Sequence, residues 1–152
     1  MELLRQAIAL AVASAETDGG PFGALVGRGE EVVATGTNRV TASGDPTAHA
    51  EIVAIRAAAV ALGTHDLSGT TLYASTEPCP MCLAAAWWAR VDAIVFAADR
   101  HAAARAGFDD AAIYAEVAAG YSERTIPCSQ LLAEEGEAPF LAWASNPDRL
   151  HY

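Results

Sequence analysis

The stretch TTLYASTEPCPMCLAAAWWARVDAIVFAA, residues 70–98, decides the fold. Thr70 to Ser75 is strand-like, Pro80 to Arg90 reads as a helix, and Ala93 to Ala98 reads as a second strand. A strand, a helix and a strand joined by short links imply a parallel pair with a right-handed crossover. Upstream, Phe22 to Gly27 and Val32 to Thr37 are apolar runs of strand length, and Arg28-Gly29-Glu30-Glu31 between them reads as a hairpin connection. Parallel and hairpin pairings together predict an α/β layered domain with a mixed sheet.

The flanking segments fit around this unit. Leu3, Leu4, Ala7, Ile8, Ala11 and Val12 make one apolar face, with Glu2, Arg5 and Gln6 polar, so the chain opens on an amphipathic helix that ends near Ser14. A signal peptide is the rival reading of this segment, but its basic region would be a single Arg. Thr41 to Pro46 is a loop of turn formers. A helix then runs from about Ala48 to Leu62, with Ile52, Ile55, Ala59 and Leu62 on one side and Gly63 as its stop. Beyond residue 98, Asp110 to Val117 looks helical, and Pro139 to Ser145 forms a short helix. No linker, repeat or low-complexity block divides residues 1–152, so a single domain is expected.

Composition narrows the chemistry. The chain has 152 residues, of which 53% are hydrophobic and 18% charged, enough for one sizeable core. Its formal net charge is -10. Such a surface repels phosphate backbones and disfavours nucleic acid as a partner. There is no lysine, which excludes Schiff-base chemistry and a P-loop phosphate site. No apolar run reaches the roughly 18 residues that a membrane span needs. Three cysteines, Cys79, Cys82 and Cys128, do not make a disulfide framework. Two thiols spent on a metal fit a reducing compartment, and a cytoplasmic location is expected.

Two short strings carry the chemistry: His49-Ala50-Glu51 and, about thirty residues on, Pro78-Cys79-Pro80-Met81-Cys82. One imidazole and two thiolates are three protein ligands for zinc, leaving a fourth position for water, as a catalytic zinc requires. Zinc lowers the pKa of water from 15.7 to about 7, and Glu51 beside the ligand His49 is free to move protons. A His-x-Glu followed by Pro-Cys-x-x-Cys is the signature of zinc deaminases of nucleobases. Cys79 and Cys82 fall at a helix start, where partial positive charge favours the thiolate. His49 and Glu51 are two apart and would diverge on a regular helix, so either both lie in an irregular first turn or Glu51 reaches around.

Each residue also has a plainer reading. Cys-x-x-Cys alone could be a redox pair or two core residues, and the His-Ala-Glu string is what separates a catalytic zinc from these. His65 and His101 read as surface residues. Cys128 reads as a buried small hydrophobe. Of Trp87 and Trp88, one should be core and the other could wall a pocket. Glu77 could support His49 or face solvent. Asp109-Asp110 could be an N-cap pair.

The resemblance extends past the zinc motifs and covers nearly the whole chain. Gly20-Pro21-Phe22-Gly23-Ala24, Asp45-Pro46-Thr47-Ala48-His49-Ala50-Glu51, Glu77-Pro78-Cys79-Pro80-Met81-Cys82-Leu83 and Trp88-Ala89-Arg90 resemble the bacterial guanine deaminases of the cytidine-deaminase superfamily. Ala106-Gly107-Phe108-Asp109-Asp110, Ile113-Tyr114, Glu123-Arg124-Thr125-Ile126-Pro127 and the terminal Tyr152 resemble that subgroup in particular. The resemblance implies a three-layer α/β/α cytidine deaminase-like fold with a mixed, five-stranded sheet. It implies a homodimer whose C-terminal segment is swapped to close the partner's active site. By position, Asn38, Asp110 and Tyr152 would contact the base, and Phe22 and Trp88 would wall it. Guanine would be deaminated to xanthine. Rival substrates are cytosine, ammeline or a nucleoside such as guanosine. A tRNA-editing adenosine deaminase, which carries similar zinc motifs, is disfavoured by the net charge. A non-enzymatic zinc or redox module would not need Glu51.

Overall fold

A computed structural model describes residues 1–151, and these divide into two compact units, Met1–Ala111 and the remainder from Ala112. The first unit runs α1 (Glu2–Ala15), β1 (Gly23–Arg28), β2 (Glu31–Thr37), α2 (Val40–Ser43), α3 (Ala50–Leu62), β3 (Thr71–Thr76), α4 (Pro80–Trp88), β4 (Ala93–Ala98) and α5 (Arg100–Arg105). The sheet order is β2-β1-β3-β4. β1 pairs antiparallel with β2 and with β3, while β3 and β4 run parallel with Leu72 opposite Ile94. The mixed sheet and the parallel crossover expected from residues 70–98 are therefore present.

The alternation of β1 explains the layering. Ala24 and Val26 face one side of the sheet and join Leu72 and Ala74 against Ala50, Ala54 and Ala58 of α3 and Ala86 of α4. Leu25, between them in sequence, faces the other side and packs with Leu3 and Ala7 of α1. Successive strand residues point to opposite faces, so one strand serves both layers. Leu25, Leu67 and Leu72 are fully buried, each worth about 1.5–3 kcal/mol of transfer free energy. Small residues bring α3 close to the sheet: a Cβ at Gly36 would lie 2.3 Å from the Ala50 carbonyl oxygen and 2.5 Å from the Ala54 nitrogen.

The described residues form one sheet of four strands, which corrects the five expected. After β4 the chain turns directly into α5, whose N-cap Asp99 accepts a hydrogen bond from the Ala102 N–H at 2.8 Å. The rest is helical or irregular. α6 (Ala111–Ala118) is followed, in the second unit, by two short 3-10 turns at Tyr121–Glu123 and Glu135–Glu137 and by α7 (Ala138–Ser145). In this second unit the Arg124 guanidinium lies over the Tyr121 ring, 4.9 Å from its centroid. None of its described residues is buried, and Phe140 and Leu141 are 75% and 66% exposed. No helix of the described residues is long and apolar enough to cross a membrane.

Candidate zinc site

The donors converge because two helix starts meet. His49 is the N-cap residue of α3, in an extended conformation (φ -66°, ψ 155°), and Cys79 is the N-cap residue of α4 (φ -64°, ψ 168°). Pro80, which has no N–H to leave unpaired, opens α4, and Cys82 lies in its first turn. The approach to His49 is held by Asp45, whose Oδ1 accepts from the Thr47 backbone N–H at 2.8 Å and from its hydroxyl at 2.7 Å. The position of His49 outside the helix settles how it shares a site with Glu51. The imidazole leaves an extended residue, while Glu51 occupies the first helical turn.

The His49 Nδ1 lies 3.6 Å from Cys79 Sγ and 3.5 Å from Cys82 Sγ, and the three donor atoms fall within 4.8 Å of one another. Tetrahedral zinc with Zn–N near 2.0 Å and Zn–S near 2.3 Å requires N···S separations of about 3.5 Å. The donor set therefore fits zinc in both chemistry and spacing. Both cysteines are free thiols rather than a disulfide.

The charges are coupled. The Cys79 thiol is pulled down to about 4, first by the hydrogen bond from Cys82 and then, against the cost of burial, by His49. Cys82 is pushed up, by its bond to Cys79, by burial and by the Glu51 charge. The two thiols thus share a hydrogen bond that favours the thiolate on Cys79. The His49 imidazole is raised, chiefly by its hydrogen bond to Cys79. Glu51, only 8% exposed, is raised above the usual carboxylate range, chiefly by burial and further by the Cys79 charge. A carboxyl desolvated in this way picks up a proton more readily than a solvated one.

The other sequence candidates take varied places. Asn38 follows β2; its backbone N–H donates to the Phe22 carbonyl at 3.1 Å and its Oδ1 accepts from the Val40 N–H at 3.2 Å. Phe22 meets Phe108 edge-on, with ring centroids 4.9 Å apart and an interplanar angle of 86°. Phe108 was not singled out in the sequence, although the Gly107-Phe108 string carried part of the resemblance. Asp109 accepts a hydrogen bond from the N–H of Ala111, the first residue of α6, at 3.0 Å, and Asp110 is half-buried. Trp87 and Trp88 are 82% and 65% exposed, so neither is core, contrary to expectation. Tyr152 lies outside the described residues. His65 and His101 are exposed as expected, but Cys128 is exposed rather than buried, with its thiol bonded to the Ile126 carbonyl.

Glu77 supports α5 rather than His49. One carboxylate oxygen accepts from the Arg100 backbone N–H at 3.0 Å, and the other takes the Arg100 guanidinium through Nε at 3.0 Å and through a terminal nitrogen. The Arg100 guanidinium holds the Glu77 carboxyl below its ordinary range. The pair ties the end of β3, two residues before Cys79, to the start of α5.

Residues 1–98 match the cytidine and deoxycytidylate deaminase zinc-binding region. The chain is 46% identical over 150 residues to the guanine deaminase of Bacillus subtilis, covering 98% of this chain and 96% of that one. The X-ray structure of Bacillus subtilis guanine deaminase superposes with a TM-score of 0.96 at 45% identity, over 99% of this chain and 97% of the other. A guanine deaminase structure from Nitrosomonas europaea matches with a TM-score of 0.69 at 37% identity, over 72% of this chain and 64% of that one.

Proposed function

Because this chain belongs to the cytidine and deoxycytidylate deaminase zinc-binding family, we propose that it is a zinc-dependent guanine deaminase, converting guanine and water to xanthine and ammonia. The observation that carries this reading is an open set of three zinc donors beside a buried carboxylate, in a chain 46% identical to a guanine deaminase along nearly its whole length.

His49, Cys79 and Cys82 hold the metal. A zinc ion held there would supply a nucleophile at neutral pH by lowering the pKa of water to about 7. Glu51 takes one proton of the attacking water and delivers it to N3 of the base as C2 is attacked, then takes the remaining proton from the added hydroxyl and passes it to the departing amine. The C2–N bond breaks, ammonia leaves and a carbonyl remains. Burial of Glu51 supports this role, because a desolvated carboxyl picks up a proton more readily than a solvated one.

Base recognition is assigned to Asn38, Asp110 and Tyr152, with Phe22 and Trp88 as walls. Phe22 already stands against Phe108, which supports an aromatic wall at that position. The Asn38 carbonyl is engaged by the Val40 N–H, which directs its amide N–H groups to acceptors on the base. The Asp110 carboxylate accepts from N–H groups on the guanine edge. Such polar groups discriminate strongly, since a wrong base leaves them unpaired.

The protein acts as a homodimer in which the segment beyond residue 111 crosses to close the partner's site. This is supported by the absence of buried residues among those described in that segment, and by the exposure of Trp87, Trp88 and Phe96. A cytoplasmic location keeps both thiols reduced. Light scattering tests the dimer, with a monomer mass at micromolar concentration as the contrary result.

Ammonia release from guanine, adenine, cytosine, ammeline, guanosine and cytidine tests the substrate. Turnover greatest on guanine is expected. Strong turnover of another member with guanine inert would keep the hydrolytic chemistry and overturn the base.

A further inference from the structure

We propose that Gly20 is a positioning residue whose missing side chain sets the place of the Asn38 carboxamide. The inference rests on the reading that Asn38 contacts the base. Asn38 is cross-tied to the loop before β1: its N–H donates to the Phe22 carbonyl at 3.1 Å, and the Phe22 N–H donates to the Gly20 carbonyl at 2.8 Å. That closed loop brings the Gly20 backbone flat against the Asn38 side chain. A Cβ added at residue 20 would lie 3.2 Å from the Asn38 Cγ and 3.3 Å from its Oδ1. Gly19 completes the contact, since a Cβ there would lie 2.8 Å from the Asn38 backbone oxygen.

The requirement at Gly20 is space rather than backbone freedom, because Gly20 is not among the residues with positive φ. Alanine can adopt its conformation, so the substitution reads the contact and little else. The carboxamide is also held by the Val40 N–H on Oδ1. It is therefore held by a backbone donor and a glycine face, leaving its amide N–H groups as the part offered to a ligand. A methyl group at residue 20 pushes the carboxamide by a few tenths of an ångström, and hydrogen bonds weaken when their angles and lengths move off the optimum.

The test is a double-mutant cycle on guanine kinetics with Gly20→Ala and Asn38→Ser. Serine keeps an acceptor for the Val40 N–H in the manner of a Ser turn and withdraws the carboxamide from the glycine. Gly20→Ala alone is expected to lower kcat/KM about tenfold, or about 1.4 kcal/mol. The loss is expected mainly in KM, with zinc content and melting temperature unchanged. In the Asn38→Ser background, where the remaining neighbour is the residue 38 Cβ at 3.5 Å, Gly20→Ala should have no further effect. An equal loss in both backgrounds, or no loss from Gly20→Ala, would overturn the positioning role. If Asn38→Ser leaves guanine kinetics unchanged, the base contact itself is wrong and the positioning role falls with it. Gly20→Ser is the second probe of the same space and should repeat the pattern.

Discussion

Gly36→Ala is the sharpest mechanical perturbation available in this fold. A Cβ at residue 36 would stand 2.3 Å from the Ala50 oxygen, 2.5 Å from the Ala54 nitrogen and 3.1 Å from the Val53 Cβ. Ordinary contacts between heavy atoms are about 3.5–4.0 Å, so strand and helix must part by about 1 Å. The opposing atoms are helix backbone and cannot rotate away. Overpacking of this kind costs about 1–3 kcal/mol, and for a chain of this length each kcal/mol lowers Tm by about 2–4 °C. The displaced residue, Ala50, lies between His49 and Glu51, so the two residues proposed as zinc donor and proton carrier move with it. A 1 Å misplacement costs about 10²-fold in rate. The assay is calorimetric melting of zinc-loaded protein beside guanine turnover. Gly44→Ala is the control: nothing lies within 4 Å of its Cβ, and only its left-handed φ of 68° is strained, at about 1–2 kcal/mol. Its turnover should stay near native. If Gly36→Ala melts and turns over like the native protein, the close approach of α3 to β2 does not set the site.

Glu77→Ala should cost about 1–3 kcal/mol by urea unfolding, because it removes a charged acceptor from the Arg100 N–H and guanidinium; an unchanged midpoint would show that α5 does not depend on the pair. Acid stability should depend on Asp66, whose carboxyl is held below its ordinary range by the Ser68 hydroxyl and N–H and then by Arg90. A folded pKa below the unfolded one gives stability that is present above about pH 4 and lost as pH falls through the folded value. Asp66→Asn should therefore flatten that acid limb, and an identical limb would remove Asp66 from it. Stripping zinc should lower Tm and readdition should restore it, with about 4.1 kcal/mol at a free metal concentration a thousand times Kd. Equal melting with and without metal would mean that the folded protein does not hold zinc.

The parts of the fold legible in the sequence are those with periodicity long enough to read. Residues 70–98 specify β3, α4 and β4, and the short polar connection specifies the β1–β2 hairpin. α2 and α5, four and six residues long, carry no readable period. α5 depends on the Asp99 cap and on Glu77, which is 23 positions from Arg100. That pairing follows only once β3 and β4 are set in parallel with Thr76 opposite Ala98, which brings the residues just beyond both strand ends side by side. The metal donors were legible by type and spacing, but the conformation of His49 was not, because an N-cap residue and a first-turn residue look alike in sequence. The exposure of Cys128, Trp87 and Trp88 could not be read either. Apolar character predicts burial only where an element has something to pack on, and the second unit, which carries Cys128, has no buried residue among those described.

The central claim is hydrolysis of guanine by a zinc site with Glu51 as proton carrier. It is tested most directly by following xanthine formation from guanine with three preparations: zinc-loaded protein, zinc-stripped protein and zinc-loaded Glu51→Gln. The account predicts turnover in the first, none in the second until zinc is restored, and in the third full zinc occupancy with kcat lower by about 10²–10⁴-fold. Substantial turnover by zinc-loaded Glu51→Gln, or xanthine formation that persists without metal, would contradict it.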